Sequence, residues 1–436
     1  MKLKIRKFAK IQAVDIVVDG ITVIAGENNT GKSTVGKIIF ALFNVLSNIE
    51  EKVLEQRLKV LEQTNRQIIK SFGDSLFDES RTVATNKMYF FSSRIASDIK
   101  ERVIAEGSIS EEEIRYITEQ CLRKLKIVNS CEEMIRELTK NTKELLEISE
   151  HEIILEVLSN YFNKVFSSQV NSLVANGEED AVLEMEIKGK RDILHFKHNR
   201  CVSFIDDINV IHKAIYIDNP FIVDELTNYN DLSPMNEMLK DLLTYEASEG
   251  MLDGVIETIR AKEKLSDIYN MLQTVVKGEV VLGQDDEFYL RSEEFAEPVS
   301  LHNLSAGLKS FVILKMLFEK GCLENKDVVI LDEPEIHLHP QWQIAYAELI
   351  VLLQKQFDLS VIVTTHSPYF VDAINLFSCK YGTGGKVHYY VASMKNDAVE
   401  MECVTGEIER IYQKMTSPIQ MLESLRHELN NQEGDE

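Results

Sequence analysis

The stretch "GENNTGKSTVGK", residues 26–37, follows the apolar run Ile21–Ala25 and leads into an apolar helical pattern through Phe40 and Phe43. Gly26-x-x-x-x-Gly31-Lys32-Ser33 has the spacing of a phosphate-binding loop between a strand and a helix. Glycines let the backbone curl so that its amide hydrogens face phosphate oxygens, and the helix N-terminus adds positive potential. Lys32 then reaches the outer phosphates, and the Ser33 hydroxyl is a ligand for Mg²⁺.

Further pieces of the same chemistry lie far along the chain. In "KDVVILDEPEIHLHP", residues 326–340, the apolar run Val328–Leu331 ends in Asp332-Glu333. Such a run suits a strand buried on both faces of a parallel sheet. An aspartate at its end, beside the phosphate loop, serves the metal. The glutamate after it can take a proton from the attacking water. In "LSVIVTTHSPYF", residues 359–370, another apolar run ends at His366, at the edge where open α/β sheets bind ligands, within reach of a γ-phosphate. In "HNLSAGLK", residues 302–309, Ser305 and Gly307 open an apolar helix and make a second phosphate grip. One subunit cannot easily wrap both grips around one nucleotide, so a head-to-tail dimer is expected.

The bulk properties exclude other classes. The chain has 436 residues, 44% apolar and 27% charged, the balance of a globular protein of two or three lobes. No apolar run is long enough for a membrane span, and the lysine-rich N-terminus lacks a signal-peptide core. Six scattered cysteines (121, 131, 201, 322, 379, 403) form no C-x-x-C pair, which points to a reducing cytoplasm. A net charge of −23 opposes nucleic acid on average, so DNA contact would need a local basic patch. Two candidates are Lys2, Lys4 and Arg6 on one strand face, and Lys188, Lys190, Arg191, Lys197 and Arg200 on a predicted hairpin around 182–197. For each, a solvated strand face is the blander reading.

The organisation expected is an α/β P-loop domain split in sequence by a large, mainly α-helical insertion. Residues 1–46 and 281–412 form its two parts, 47–280 the insertion, and 413–436 a C-terminal helix and acidic tail disordered from about Asn430. Three serine–glutamate pairs, Ser110/Glu113, Ser130/Glu133 and Ser149/Glu152, have the spacing of helix-capping boxes. Val53, Leu54, Leu58 and Leu61 make a short helical seam suited to a packed hairpin.

Phosphate loop, Leu-Ser-x-Gly, Asp-Glu and histidine, in this order, resemble the head of ABC-type ATPases. The wording "GENNTGKST", "LDEPEIHLHP" and "VTTHSPYF" is especially similar to the OLD (overcoming lysogenization defect) group, with RecF and SMC proteins nearby. The motif-bearing resemblance covers residues 1 to about 46 and about 280 to 400. It implies ATP and Mg²⁺ as ligands. Gly26, Asn28, Asn29, Thr30 and Gly31, with Lys32, Ser33 and Thr34, become the nucleotide loop. Ser305 and Gly307 become a signature donated in trans. Asp332 and Ser33 hold the metal, Glu333 is the base, and Lys32 and His366 complete the catalytic set. His337 and His339 fall at the D-loop, which shapes the dimer interface, though their i, i+2 spacing invites a metal check.

The sequence departs from the transporter form, with Leu308-Lys309 where glycine-glutamine is usual, and the glutamine loop is not assigned. Some 270 residues between the P-loop and Ser305 also exceed a transporter head. Many OLD-type proteins carry a Toprim nuclease after the head. The residues after His366 show no Asp-x-Asp pair and no histidine-asparagine nuclease pattern, so this chain is not expected to cut DNA. The resemblance implies an ATPase subunit of an anti-phage system such as Septu or PARIS, with a separate HNH or Toprim effector. The alternative is a RecF- or SMC-like repair or maintenance factor that clamps DNA. A dead nucleotide-binding scaffold is disfavoured by the full set Lys32, Asp332, Glu333 and His366.

Overall fold

A computed structural model describes residues 1–72, 81–124, 132–173, 180–227, 232–245, 265–285, 287–395 and 398–433. The chain divides into two compact units. One comprises residues 1–47 and 159–436, the other 48–158.

The first unit is built on a mixed sheet. Its strands are β1 (Lys2–Phe8), β2 (Ile11–Val17), β3 (Ile21–Gly26), β4 (Ala181–Ile187), β5 (Lys190–Lys197), β6 (Arg200–Ile205) and β7 (Ala214–Ile217). A separate three-stranded sheet contains β8 (Glu279–Leu282), β9 (Phe288–Arg291) and β10 (Val299–Ser300). The large sheet is completed by β11 (Val328–Asp332), β12 (Ser360–Thr365), β13 (Val387–Lys395) and β14 (Ala398–Cys403). Its order is β6-β5-β4-β1-β2-β14-β13-β3-β12-β11-β7. Every residue of β3 is buried, as a strand between two parallel neighbours requires. The antiparallel strands β1 and β4 instead alternate buried and partly open residues, with one wet face.

The parallel register positions the chemistry. Ala25 lies beside Thr365, and Thr364 beside Asp332, so the ends of β3, β12 and β11 form one line. Helix α1 (Lys32–Leu46) starts there, and ten of its residues besides Lys32 are buried against the sheet.

The second unit holds α2 (Ile49–Ser71), α3 (Arg81–Glu106), α4 (Glu111–Lys124), α5 (Glu132–Glu147) and the start of α6 (Glu150–Phe166). Phe91, Ile95 and Ile99 recur at helical spacing and meet Leu61, Ile69, Met134 and Leu138 in its core. Leu61 continues the predicted seam in this packed arrangement, with Leu58 against the same core. The Ser110/Glu113 box forms: Glu113 N donates to Ser110 Oγ at 3.3 Å, and Ser110 N donates to Glu113 Oε2 at 2.9 Å. Ser130 lies outside the described residues.

The all-in-one insertion expected over 47–280 divides differently in the structure. Only 48–158 separates as a helical unit. Strands β4–β6 extend the large sheet from β1, and β7 adds to its far edge beside β11. Backbone pairing, not local composition, decides that membership. Helices α7 (Pro234–Thr244) and α8 (Ser266–Val275) follow, with 246–264 between them outside the described residues. The remaining helices are α9 (Ala306–Glu319), α10 (Pro340–Phe357), α11 (Pro368–Lys380) and α12 (Glu409–Glu433). The last is helical through Glu433, past the point where the sequence suggested a disordered tail; residues 434–436 lie outside the described residues.

Candidate active site

The loop after β3 needs both its glycines. At Gly26 a Cβ would lie 2.5 Å from the Ala392 carbonyl oxygen on β13. Gly31, the N-cap of α1, has φ 72°, a left-handed conformation that glycine adopts freely. Asn29 shares the left-handed region at φ 63°, and its side-chain oxygen accepts from Lys10 Nζ at 3.2 Å. Thr30 is buried and donates to the Glu27 carbonyl at 2.7 Å. A cavity of about 440 Å³ opens on this loop from Asn29 to Thr34, with Ala9, Phe166 and Leu173 among its walls.

Lys32 is 3% exposed, and its ammonium donates to the carbonyls of Gly26 at 3.0 Å and Glu27 at 2.7 Å. Burial pushes its pKa below the usual lysine value, while the Glu333 and Asp332 carboxylates pull it back. The side chain is therefore folded back onto the carbonyls of its own loop.

Asp332 gathers three hydroxyl donors. Its Oδ1 accepts from Ser33 Oγ at 2.9 Å and from Thr364 Oγ1. Its Oδ2 accepts from Tyr216 OH at 2.6 Å. Burial, then Asp332, pushes the Tyr216 hydroxyl well above its ordinary pKa, so it stays a donor. The convergence of a serine hydroxyl and an aspartate carboxylate fits Mg²⁺, a hard cation that takes oxygen ligands.

Two residues at this corner escaped the sequence reading. Tyr216 lies on β7, and the pairing of Ile217 with Leu331 brings Asp218 up beside Asp332. Asp218 is open to solvent on one side; its packed side, and next Asp332, hold its carboxyl above the usual range, opposed by Lys37. Their signal in the sequence was a four-residue apolar run, Ala214–Ile217, ending in aspartate like the run before Asp332.

Glu333 has φ 52°, a strained conformation for a residue with a Cβ, of the kind that gathers at active sites. Its amide is fixed by Thr364, through the carbonyl at 3.1 Å and the hydroxyl at 3.0 Å. Its Oε1 lies 2.6 Å from His366 Nε2 and 3.7 Å from Lys32 Nζ. His366 Nδ1 lies 3.1 Å from the Gly26 carbonyl oxygen. Nε2 thus faces a carboxylate, while Nδ1 lies between the Gly26 carbonyl and the Lys32 ammonium, which is 3.5 Å away. Behind the histidine stands Glu335, 6% exposed, which accepts from His366 N at 2.7 Å and Thr365 Oγ1 at 2.6 Å. Burial pushes its carboxyl up. Glu335 was also missed, though it is the next carboxylate after Glu333 in the same stretch.

Ser305 caps α9, accepting from Leu308 N at 3.4 Å. It is not among the residues lining the P-loop cavity of its own chain. At Gly307 a Cβ would come to 3.0 Å from both the His337 carbonyl oxygen and the Trp342 ring, a tight approach that a larger residue could make only if these neighbours shifted. The His337 ring stands edge-on to Phe221 at 5.4 Å, while His339 Nδ1 accepts from Gln341 N at 3.4 Å. The two histidines therefore serve separate partners. Among the described residues no group of three or more His, Cys, Asp or Glu side chains is placed to hold a metal.

The basic patches are interleaved with acid. Lys4 pairs with Glu184 at 2.9 Å, Arg6 with Asp15 at 2.5 Å, and Arg191 with Glu186 at 3.5 Å. The second patch is also split, since Lys190 and Lys197 are the two ends of β5, roughly 20 Å apart at strand rise.

A sheet with a phosphate loop, an Asp-Glu pair and a histidine on adjacent parallel strand ends defines a P-loop ATPase. A family model described as AAA ATPase domain matches residues 1–371, and the chain belongs to that family. The Septu protein PtuA of Bacillus mycoides (strain KBAB4) is 28% identical over 154 residues, 31% of this chain and 21% of that protein. The Retron Ec83 probable ATPase of Escherichia coli is 39% identical over 64 residues, 14% of this chain and 11% of its own. The Retron Vc95 probable ATPase of Vibrio cholerae serotype O1 biovar El Tor is 22% identical over 197 residues, 35% of this chain and 38% of its own. The matches thus span well under two thirds of these relatives. Among solved structures, the SMC head domain from Thermotoga maritima is similar over 92% of this chain and 98% of its own, at 13% identity and TM-score 0.39. No helix among the described residues is long and apolar enough to cross a membrane.

Proposed function

We propose that this chain hydrolyses ATP with Mg²⁺ as a head-to-tail dimer, and drives an anti-phage complex whose effector nuclease is a separate chain. The observation that carries the catalytic part is the closed set Lys32–Glu333–His366–Gly26. The γ-phosphate is the natural competitor for Lys32 and for His366, and its arrival releases Glu333. Glu333 then takes a proton from the attacking water, whose oxygen bonds to the γ-phosphorus as the bond to the β-phosphate oxygen breaks. ADP leaves with its new terminal oxygen charged, and His366 donates a hydrogen bond to the freed phosphate. Ser33 and Asp332 would hold Mg²⁺, which neutralises charge building on the phosphates.

The position of Ser305 away from its own P-loop cavity supports closure in trans. The names of the PtuA and retron relatives support the defence setting and a partner protein. The pairing of the basic patches with Glu184, Glu186 and Asp15 weighs against a DNA clamp.

Complementation tests the dimer. Lys32→Ala and Ser305→Arg should each be inactive alone. In a mixed dimer, the first supplies an intact Ser305 and the second an intact P-loop, so one working site reappears. Recovery of turnover on mixing is the expected result. Two inactive variants that stay inactive when mixed, although each still folds and associates, would sink the trans model. Capture of the tagged chain with ATP and Mg²⁺ from its host, followed by mass spectrometry, tests for the effector. Recovery of DNA with no protein partner would overturn the defence reading.

A further inference from the structure

Lys309, which stands where the signature usually has glutamine, is 2% exposed. Its ammonium donates to both carboxylate oxygens of Asp224, at 2.7 and 2.5 Å, and to the His302 carbonyl at 3.3 Å. It also sits 5.0 Å from the centre of the Phe221 ring. A buried ammonium is a poor way to stabilise a core, because desolvation cancels much of what the pair gains. An apolar side chain would serve packing alone, as it does at Phe311, Val312, Ile313 and Leu314 on the same helix.

What the pair does provide is a rigid connection. Lys309 N donates to the Ser305 carbonyl at 3.0 Å, so its backbone closes the first turn behind the signature serine. Its side chain ties that turn to Asp224. Asp224 belongs to the 3-10 turn Pro220–Glu225, which follows β7 after Asn219. On β7, Tyr216 holds Asp332 at 2.6 Å. The metal-side aspartate and the signature serine of one chain are thus joined by a short strand, one capped turn and one buried ion pair.

We propose that Lys309 is a positioning residue: through Asp224 it sets Ser305 in register with the Asp332 corner of its own chain. Since Ser305 would close on the other subunit's nucleotide, the link lets the occupancy of one ATP site govern closure of the second. The proposal rests on the trans-dimer reading above.

The test uses the Glu333→Gln chain with ATP and Mg²⁺, and measures nucleotide affinity and the dimer dissociation constant by sedimentation. Lys309→Met should bind ATP within about twofold of its parent, while its dimer dissociation constant rises at least about tenfold. Lys309→Arg, whose guanidinium reaches the same acceptors, should restore dimerisation. In the hydrolysing parent, Lys309→Met should lose turnover at low protein concentration and regain it at high concentration. A folded Lys309→Met chain with parental dimerisation overturns the proposal. If Lys309→Met does not fold, Asp224→Asn decides instead. It keeps an acceptor for Lys309 but removes the charge, so weakened dimerisation supports the proposal and unchanged dimerisation overturns it. Ser305→Arg separates the two failures: if it dimerises normally, the sandwich itself is wrong, whatever Lys309 does.

Discussion

The sheet unit and the helical unit treat polarity in opposite ways. In the sheet unit, charged side chains are drawn together at strand ends: Lys32, Glu333, Glu335 and His366 are joined by contacts that reach across more than three hundred positions of sequence. In the helical unit, ion pairs lie on the surface at helical spacing, such as Arg102–Glu106 and Arg115–Glu119. Some of its buried polar atoms, in Asn65, Thr139 and Thr142, have no hydrogen-bond partner among the described residues, while Ser92 and Thr118 bond to carbonyls of their own helices. The sheet unit too has such unpartnered atoms, Glu335 Oε2 among them. Buried groups that are fully bonded hold one geometry, as a catalytic site must. Surface pairs contribute little and specify little. The difference lies in where charge is gathered: at converging strand ends in the sheet unit, and in solvated pairs in the helical unit.

Mutations at the strand ends should therefore act on turnover, with little effect on folding. The largest effect belongs to Glu333→Gln, which keeps the shape but cannot take the proton. Turnover should fall by about 10² to 10⁴, while ATP-bound dimer accumulates. Single-turnover hydrolysis checks this, and a chain that still turns over at the parental rate would remove Glu333 from the role of base. Lys32→Ala comes next. It deletes a charge aimed at the phosphates, so ATP affinity should fall at least about tenfold. Isothermal titration with ATP and with a non-hydrolysable analogue reads it directly. Thermal stability should not fall in step, because burial already works against the ammonium in the folded chain.

Tyr216→Phe is a smaller change in the same unit. It removes the 2.6 Å bond to Asp332 and leaves the carboxylate to Ser33 and Thr364. A hydrogen bond to a charged group contributes about 1.5–3 kcal/mol, so the Mg²⁺ needed for half-maximal turnover should rise about tenfold. A magnesium titration with unchanged midpoint would show that Tyr216 only fills space.

How much of this was legible in the sequence follows the same division. Lys32, Asp332 and His366, which the fold brings close together, were legible because each sits at or just beyond the end of its own apolar run, a local signal. Tyr216 and Asp218 were not, because their run gains meaning only through pairing with β11, more than a hundred residues away. Lys2, Lys4 and Arg6 read as a basic face, but Glu184, opposite Lys4, is 180 positions distant. Charge shows in a sequence, and its neutralisation across a sheet does not. The helices of the second unit were legible by periodicity and capping, as at Ser110 and Glu113. The point where the chain returns to the sheet was not, because β4–β6 belong there through hydrogen bonds to β1.

The smallest effect is also the one that bears most directly on the helical unit. Thr142 is fully buried on α5, and its hydroxyl has no partner among the described residues. Thr142→Val replaces that hydroxyl with a methyl group of nearly the same shape. Where a buried hydroxyl is satisfied, this change costs stability; where it is orphaned, it recovers the desolvation penalty of the polar group, about 1 kcal/mol. Valine and threonine are both β-branched, so helix propensity changes little. The expected outcome is a small rise in the unfolding midpoint of the helical unit, read by denaturant titration, with ATP turnover unchanged. Loss of stability would mean that the hydroxyl is bonded in solution, for instance by a buried water. The contrast between the two units would then rest only on where their charged side chains gather.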